Sequence, residues 1–196
     1  MITAIILAAG ESKRMGQPKM LLPWENEVVI TRVISIFKNV GVDDILVITG
    51  GAREQVEDAT SGYGVNTIFN KDFGKEEMLS SIQCGLREIT DQTQAVLIGL
   101  GDQPQVQERS VRMVCDTFRE IKSNIVIPSF KMRRGHPWLV GRALWNDLLE
   151  MKSPQSPRDY LNAHANDIHY IDVNDPGILA DLDTPEEYKK WQPSKS

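Results

Sequence analysis

Met1-Ile2-Thr3-Ala4-Ile5-Ile6-Leu7-Ala8-Ala9-Gly10-Glu11-Ser12-Lys13-Arg14-Met15-Gly16-Gln17-Pro18-Lys19 opens the chain and decides its fold class. From Thr3 to Ala9 the residues are almost all apolar, with none of the alternation that a half-wetted strand shows. Such a run reads as a strand buried on both faces, which is the condition of a strand in a parallel sheet. Gly10 and Gly16 then punctuate a basic loop carrying Lys13, Arg14 and Lys19. A loop at the carboxyl end of a first parallel strand lies where open α/β sheets bind ligands. Glycine lets backbone N–H groups approach phosphate oxygens, arginine bonds them in pairs, and lysine adds a point charge. On glycine and charge alone two readings stand, a triphosphate loop and a solvated basic loop. The spacing is neither G-x-x-x-x-G-K-[ST], because Lys19 lies beyond Gly16 with no Ser or Thr after it, nor G-x-G-x-x-G, so P-loop hydrolysis and hydride transfer both lose ground.

Beyond this loop, helical and strand patterns alternate. Glu27 to Val40 carries Ile30, Val33, Ile34, Phe37 and Val40 at helical spacing and stops at Gly41. Strands are expected at Asp44 to Thr49, Val65 to Asn70, Ala95 to Leu100 and Ile125 to Pro128, with helices near Ala52 to Thr60, Glu76 to Ile89 and Gln105 to Lys122. This alternation predicts one α/β domain over residues 1–192, Rossmann-like, with a mostly parallel, doubly wound sheet. The rhythm breaks at Trp138 to Val140, the Ser153 to Pro157 turn and Ile168 to Val173, which predicts an antiparallel edge added to the main sheet. A helix from Pro185 leads to a polar tail, 193–196, expected to fray.

The chain has 196 residues and a net charge of -5, with two cysteines and three histidines. An acidic balance argues against a nucleic-acid partner, and no apolar run is long enough to span a membrane. The start has no basic leader region, and the expected location is the cytoplasm. Cys84 and Cys115 lack C-x-x-C spacing and read as reduced core thiols, while His136, His164 and His169 are too scattered for a zinc site.

Three further segments sit where the pattern places strand ends. Asp102, in Gly101-Asp102-Gln103-Pro104, is either a turn carboxylate or a hard oxygen ligand of the kind Mg²⁺ takes. Thr184-Pro185-Glu186-Glu187 supplies a complete helix start, so Asp183 is not needed as a cap and is left over as a metal candidate; Asp181 shares its face and is the weaker alternative. Ser80 and Ser81 open a helical stretch, read equally as a polar first turn or as a ligand-facing pair. His136, in Arg134-Gly135-His136-Pro137, is by itself a turn residue more often than a catalyst.

The pattern L-A-A-G-x-S-x-R-M-G-x-P-K, continued through Asp102-Gln103-Pro104, the Arg134 segment and Leu179 to Tyr188, resembles the nucleotidyltransferases of the molybdenum-cofactor type. That resemblance spans nearly the whole chain and implies a nucleotide-diphospho-sugar transferase-like fold. It also implies nucleotide contacts from Leu7, Ala8, Ala9, Gly10, Glu11, Ser12, Arg14, Met15, Gly16, Lys19, Ser80, Ser81 and Asp102. Mg²⁺ would be held by Asp102 and Asp183, and Arg14, Lys19, Asp102 and Asp183 would form the catalytic set. The acceptor would meet Gln103, Pro104, Arg134, His136 and Arg158.

Within the family the chain resembles the branch that transfers CMP from CTP to the phosphate of molybdopterin, which implies CTP and a molybdopterin-type acceptor as substrates and a molybdoenzyme or its maturation factor as the partner that receives the product. It departs from that branch at Ser153-Pro154-Gln155-Ser156-Pro157-Arg158-Asp159, where a Gly-Asp-x-Gly-Ala-Arg-like stretch is common; Arg158 keeps the arginine, and Ser156-Pro157 makes a helix start. The departure leaves open another phosphorylated acceptor. A noncatalytic module that delivers cofactor is the rival class, against which the intact Asp102 and Asp183 speak.

Overall fold

Ile2–Ala8 (β1) is buried along its whole length, as its unbroken apolar pattern requires. It pairs in parallel with Asp44–Thr49 (β4) on one side and Ala95–Leu100 (β6) on the other. The computed structural model describes residues 1–74 and 77–193. The expected helix start at Glu76 and positions 194–196 of the expected tail lie outside the described residues. The remaining strands are Pro23–Trp24 (β2), Glu27–Val28 (β3), Asn66–Phe69 (β5), Ile125–Phe130 (β7), Arg133–Arg134 (β8), Trp138–Gly141 (β9) and Ile168–Asp172 (β10). The helices are Val29–Asn39 (α1), Arg53–Thr60 (α2), Glu77–Arg87 (α3), Glu108–Ile121 (α4), Trp145–Glu150 (α5), Pro157–Ala163 (α6) and Pro185–Trp191 (α7).

The main sheet runs β10-β7-β9-β6-β1-β4-β5, with β8 paired to β7 off that path. It is a mostly parallel mixed sheet in a single α/β domain. Two strands of this sheet pair antiparallel, the short β8 on β7 and β9, which lies inside the sheet between β7 and β6 rather than at the expected edge; β10 forms that edge, parallel to β7. The main antiparallel strand is therefore shielded on both sides.

One face of the sheet is covered by α1, α2 and α4, through residues such as Ile30, Val33, Val56, Val111 and Val114. The other is covered by α3, α5 and α6, through Leu79, Ile82, Trp145, Leu148 and Tyr160. Each fully buried Ile or Leu side chain in these layers contributes about 2 kcal/mol relative to exposure. Close approach of α3 is set by Gly85, where a Cβ would stand 2.7 Å from Ile5 Cγ2. Cys84 and Cys115 are free cysteines on α3 and α4; burial raises both thiols, Cys115 to about 11, so neither is a thiolate at neutral pH.

Two helices begin later than the periodicity predicts, each for a physical reason. Glu27 and Val28 pair with Trp24 and Pro23 in a small hairpin, so the helix expected from Glu27 starts at Val29. The helix expected from Gln105 starts at Glu108, because the buried Asp175 carboxylate accepts the Gln107 N–H at 2.9 Å and the Ser110 hydroxyl at 2.8 Å, capping α4 from a remote loop. Among the described residues no helix is long and apolar enough to cross a membrane.

Candidate active site

The carboxyl ends of β1 and β6 open on a cleft of about 490 Å³. Its wall is the glycine-rich loop. Ser12 takes the left-handed conformation at φ 53°, and Gly16 closes the following turn at φ 67°. The Ser12 hydroxyl accepts the Lys19 N–H at 3.0 Å, folding the loop back so that Lys19 faces its own start. Met15 pins the loop from behind by packing with Leu22, Trp24, Val29 and Leu182. Gly50 braces it from β4, with no room for a side chain: a Cβ there would lie 2.4 Å from the Ala9 carbonyl oxygen. Gly51 N–H donates to that same oxygen at 3.2 Å.

Opposite the loop stand three carboxylates, Asp102, Asp181 and Asp183. Asp102 follows β6. The segment bearing the other two is tied to it by glutamines: Gln103 Nε2 donates to Ala180 O and to Asp181 Oδ1, each at 3.1 Å, and Gln105 Nε2 donates to Ala180 O at 2.7 Å. Leu182 is fully buried and fixes the alternation that turns its neighbours outward. The Thr184 hydroxyl accepts Glu187 N–H at 3.2 Å and the Glu187 carboxylate accepts Thr184 N–H at 3.1 Å, so α7 is capped without the Asp183 side chain.

Lys19 joins the two halves. Its Nζ donates to Asp102 Oδ2 and, at 2.8 Å, to Asp183 Oδ1; Arg14 Nη2 reaches Asp183 Oδ2 at 2.5 Å. Burial alone would lower the Lys19 pKa, but the two carboxylates outweigh it and raise it, so the ammonium is charged. Burial would raise Asp183, yet Lys19 and Arg14 hold it below the ordinary carboxylate range. Asp181 goes the other way, raised first by burial and then by the Asp102 charge against the bond from Gln103. Asp183 is thus favoured as a carboxylate while Asp181 is disfavoured as one.

Most of the residues singled out in the sequence meet here. Leu7, Ala9, Gly10, Glu11, Ser12, Arg14, Met15, Lys19, Ser81, Asp102 and Asp183 all line the cleft. Ala8 is buried in the core on the α1 side, and Gly16 serves the turn. Ser80 and Ser81 both accept from the Asn70 side-chain amide, at 2.9 and 3.0 Å. Gln103 and Pro104 are buried, with the Gln103 amide engaged as above. Arg134, His136 and Arg158 are not part of the cleft lining. Arg134 bonds Asn162 Oδ1 at 3.1 Å and lies over the Tyr170 ring; Arg158, one turn before Asn162 on α6, is exposed. His136 is half-buried and stacked on Trp138 with ring centres 4.6 Å apart, and burial pulls its pKa down to about 4. Gln105, Asp175 and Gly50 had no signal in the sequence beyond their residue type, because each acts through partners remote in the chain, and Asn70 had none because its partners Ser80 and Ser81 lie on the next element.

Among the described residues no group of three or more His, Cys, Asp or Glu side chains is assembled to hold a metal. The Asp102 and Asp183 pair, already gathered around a cation, has the donor set of a hard divalent ion that takes its remaining ligands from water and phosphate. A Cβ at Gly10 would meet nothing within 4 Å, so the backbone there is open to a ligand.

The model of the MobA-like NTP transferase domain matches residues 4–168. The molybdenum cofactor cytidylyltransferase of Escherichia coli is 27% identical over 191 residues, spanning 95% of this chain and 93% of that one. Among solved structures, Rv0371c of Mycobacterium tuberculosis is 25% identical with a TM-score of 0.85, covering 98% of this chain and 97% of that one. A nucleotidyl transferase from Methanothermobacter is similar in fold, at 24% identity and a TM-score of 0.83, covering 98% and 96%.

Proposed function

The chain belongs to the MobA-like NTP transferase domain family, and from that premise we propose that it transfers CMP from CTP to the phosphate of molybdopterin, releasing pyrophosphate and forming molybdopterin cytosine dinucleotide. The observation that carries this reading is the convergence of Arg14 and Lys19 from the glycine loop with Asp102 and Asp183 in one cleft at the strand ends. The E. coli relative's name supplies the specific acceptor and base.

The acceptor phosphate is already an anion, so its oxygen attacks the α-phosphorus without a general base. The O–Pα bond forms as the bond from Pα to the bridging oxygen breaks, and the electron pair leaves on pyrophosphate. Alignment and charge neutralisation are the remaining tasks. Arg14, Lys19 and the amides near Gly10 hold the β and γ phosphates and stabilise the departing charge. Ser81 and the wall of Leu7, Ala9 and Leu100 border the nucleoside. Asp102 and Asp183 would hold Mg²⁺, which would supply positive charge to offset that of the triphosphate. Outside the cleft, Arg134 and Arg158 flank Asn162 and offer two guanidiniums to the acceptor's anionic groups, while His136, neutral near pH 7, can only exchange hydrogen bonds there.

Pyrophosphate release from CTP, dependent on both divalent cation and molybdopterin, tests this reading. CTP should be used well ahead of GTP. Release from CTP with other phosphorylated acceptors but not molybdopterin would refute the acceptor, and absence of release with any acceptor would leave a delivery module.

A further inference from the structure

The cation that Asp102 and Asp183 hold in this structure belongs to the protein itself. Lys19 Nζ bonds one oxygen of each carboxylate, and Arg14 takes the second oxygen of Asp183. Both oxygens of Asp183 and one of Asp102 are therefore engaged by cations on side chains. A divalent ion bridging the two carboxylates must take an Asp183 oxygen that a side-chain cation already bonds, and an ammonium that close to such an ion is strongly repelled. Lys19 and such an ion are mutually exclusive.

We propose that Lys19 is an internal counter-ion that closes the carboxylate pair to a free divalent cation until a triphosphate draws the lysine away, so that the metal enters together with the nucleotide. This rests on reading Asp102 and Asp183 as the metal carboxylates.

Burial makes the exchange strict. The Lys19 side chain is 12% exposed and that of Asp102 11%, so neither charge can be left without a partner at low cost. The lysine leaves the carboxylates only if another cation replaces it, and it needs an anion to receive it. A nucleotide-bound metal supplies both at once: the metal takes the carboxylates and the phosphates take the ammonium. A swing of the ammonium leaves the loop in place, because the Lys19 backbone N–H is held by the Ser12 hydroxyl and the four-carbon stem carries the rotatable bonds. Arg14 follows easily, with a side chain 71% exposed.

The test is Mn²⁺ binding to the nucleotide-free protein, followed by electron paramagnetic resonance. Lys19→Met and Lys19→Gln should each bind Mn²⁺ about ten- to hundredfold more tightly than wild type, the usual range of coupling between two competing ligands. Lys19→Arg, which keeps the charge, should stay near wild type, and adding Asp102→Asn to Lys19→Met should cancel the gain. Circular dichroism checks that the variants fold, and either neutral variant suffices. No gain in a folded neutral variant overturns the counter-ion, as does a gain that survives Asp102→Asn. Asp102→Asn alone separates the underlying reading: if it leaves Mn²⁺ binding in the presence of CTP unchanged, the metal assignment itself fails.

Discussion

Gly10 and Gly50 meet the same loop from opposite sides, and an alanine at each separates the loop's chemistry from its packing. A methyl at Gly10 touches no protein atom within 4 Å, and the φ there is not left-handed. Gly10→Ala should therefore leave the fold unchanged or raise stability by about 0.5 kcal/mol through a stiffer unfolded chain. The cleft registers it instead. Displacing one backbone N–H from a phosphate oxygen forfeits about 1.5–3 kcal/mol, so KM for CTP should rise about ten- to hundredfold.

Gly50→Ala acts through packing. Its Cβ would stand 2.4 Å from the Ala9 carbonyl oxygen and 2.8 Å from the Ala9 Cα and Cβ, all atoms that cannot rotate aside. Overpacking of this kind costs about 1–3 kcal/mol, or a fall in Tm of roughly 2–12 °C for a chain of this size. Because the displaced atoms belong to the nucleotide loop, KM for CTP should rise as well. Thermal unfolding reads the first effect and pyrophosphate release against CTP concentration the second. A Gly10→Ala protein that melts several degrees early, or a Gly50→Ala protein with wild-type Tm, would refute this division of labour.

Asp102→Asn and Asp183→Asn should each lower turnover more than about a hundredfold, since charge stabilisation is the main catalytic task. Asp181→Asn, whose carboxyl is raised by burial and bonded by Gln103, should lower it less, and an equal loss would make Asp181 the second ligand. Ala9→Gly should narrow the preference for CTP over GTP by opening space at the strand end for a two-ring base; a wild type using both equally would remove the cytidylyl assignment. His136 has a folded pKa near 4 against 6.5 in the unfolded chain, so below pH 6.5 the unfolded chain takes up a proton that the folded one refuses. Stability contributed by the neutral ring is complete above pH 6.5 and lost as pH falls towards 4, by roughly 2 kcal/mol after allowing for its partial exposure. In urea unfolding at pH 7 and 4.5, His136→Gln should show a smaller acid loss than wild type; equal losses would exclude the ring as their source.

The parallel sheet was legible because its signal is local. Thr3 to Ala9, Asp44 to Thr49 and Ala95 to Leu100 are continuous apolar runs, and each lies within one residue of a strand of the structure. The place of β9 was not legible. Trp138 to Val140 gives the same apolar signal whether a strand lies at an edge or between two others, and only its pairing with both β6 and β7 settles which. The late start of α4 was hidden for the same reason: the carboxylate that caps it, Asp175, is 68 positions away from Gln107.

The site divides along the same line. A residue type at a strand end announces what it can bind, so the glycine loop and Asp102 could be read directly. What it touches depends on how the segments close. Lys19 and Asp183 are 164 positions apart, and they meet because Gln103 and Gln105 tie the segment after Gly177 to the loop after β6 while Leu182 anchors it in the cluster behind the glycine loop. Sequence reasoning assigned Lys19 to phosphate and Asp183 to metal as separate tasks. In the folded chain those two groups neutralise each other, so neither can take up its task unless the other does. That coupling follows from the short distance between their charges inside a partly desolvated cleft. On the proposed metal reading that coupling would make nucleotide and metal one event at this site, and until then Lys19 and Arg14 offset part of the charge of the three carboxylates.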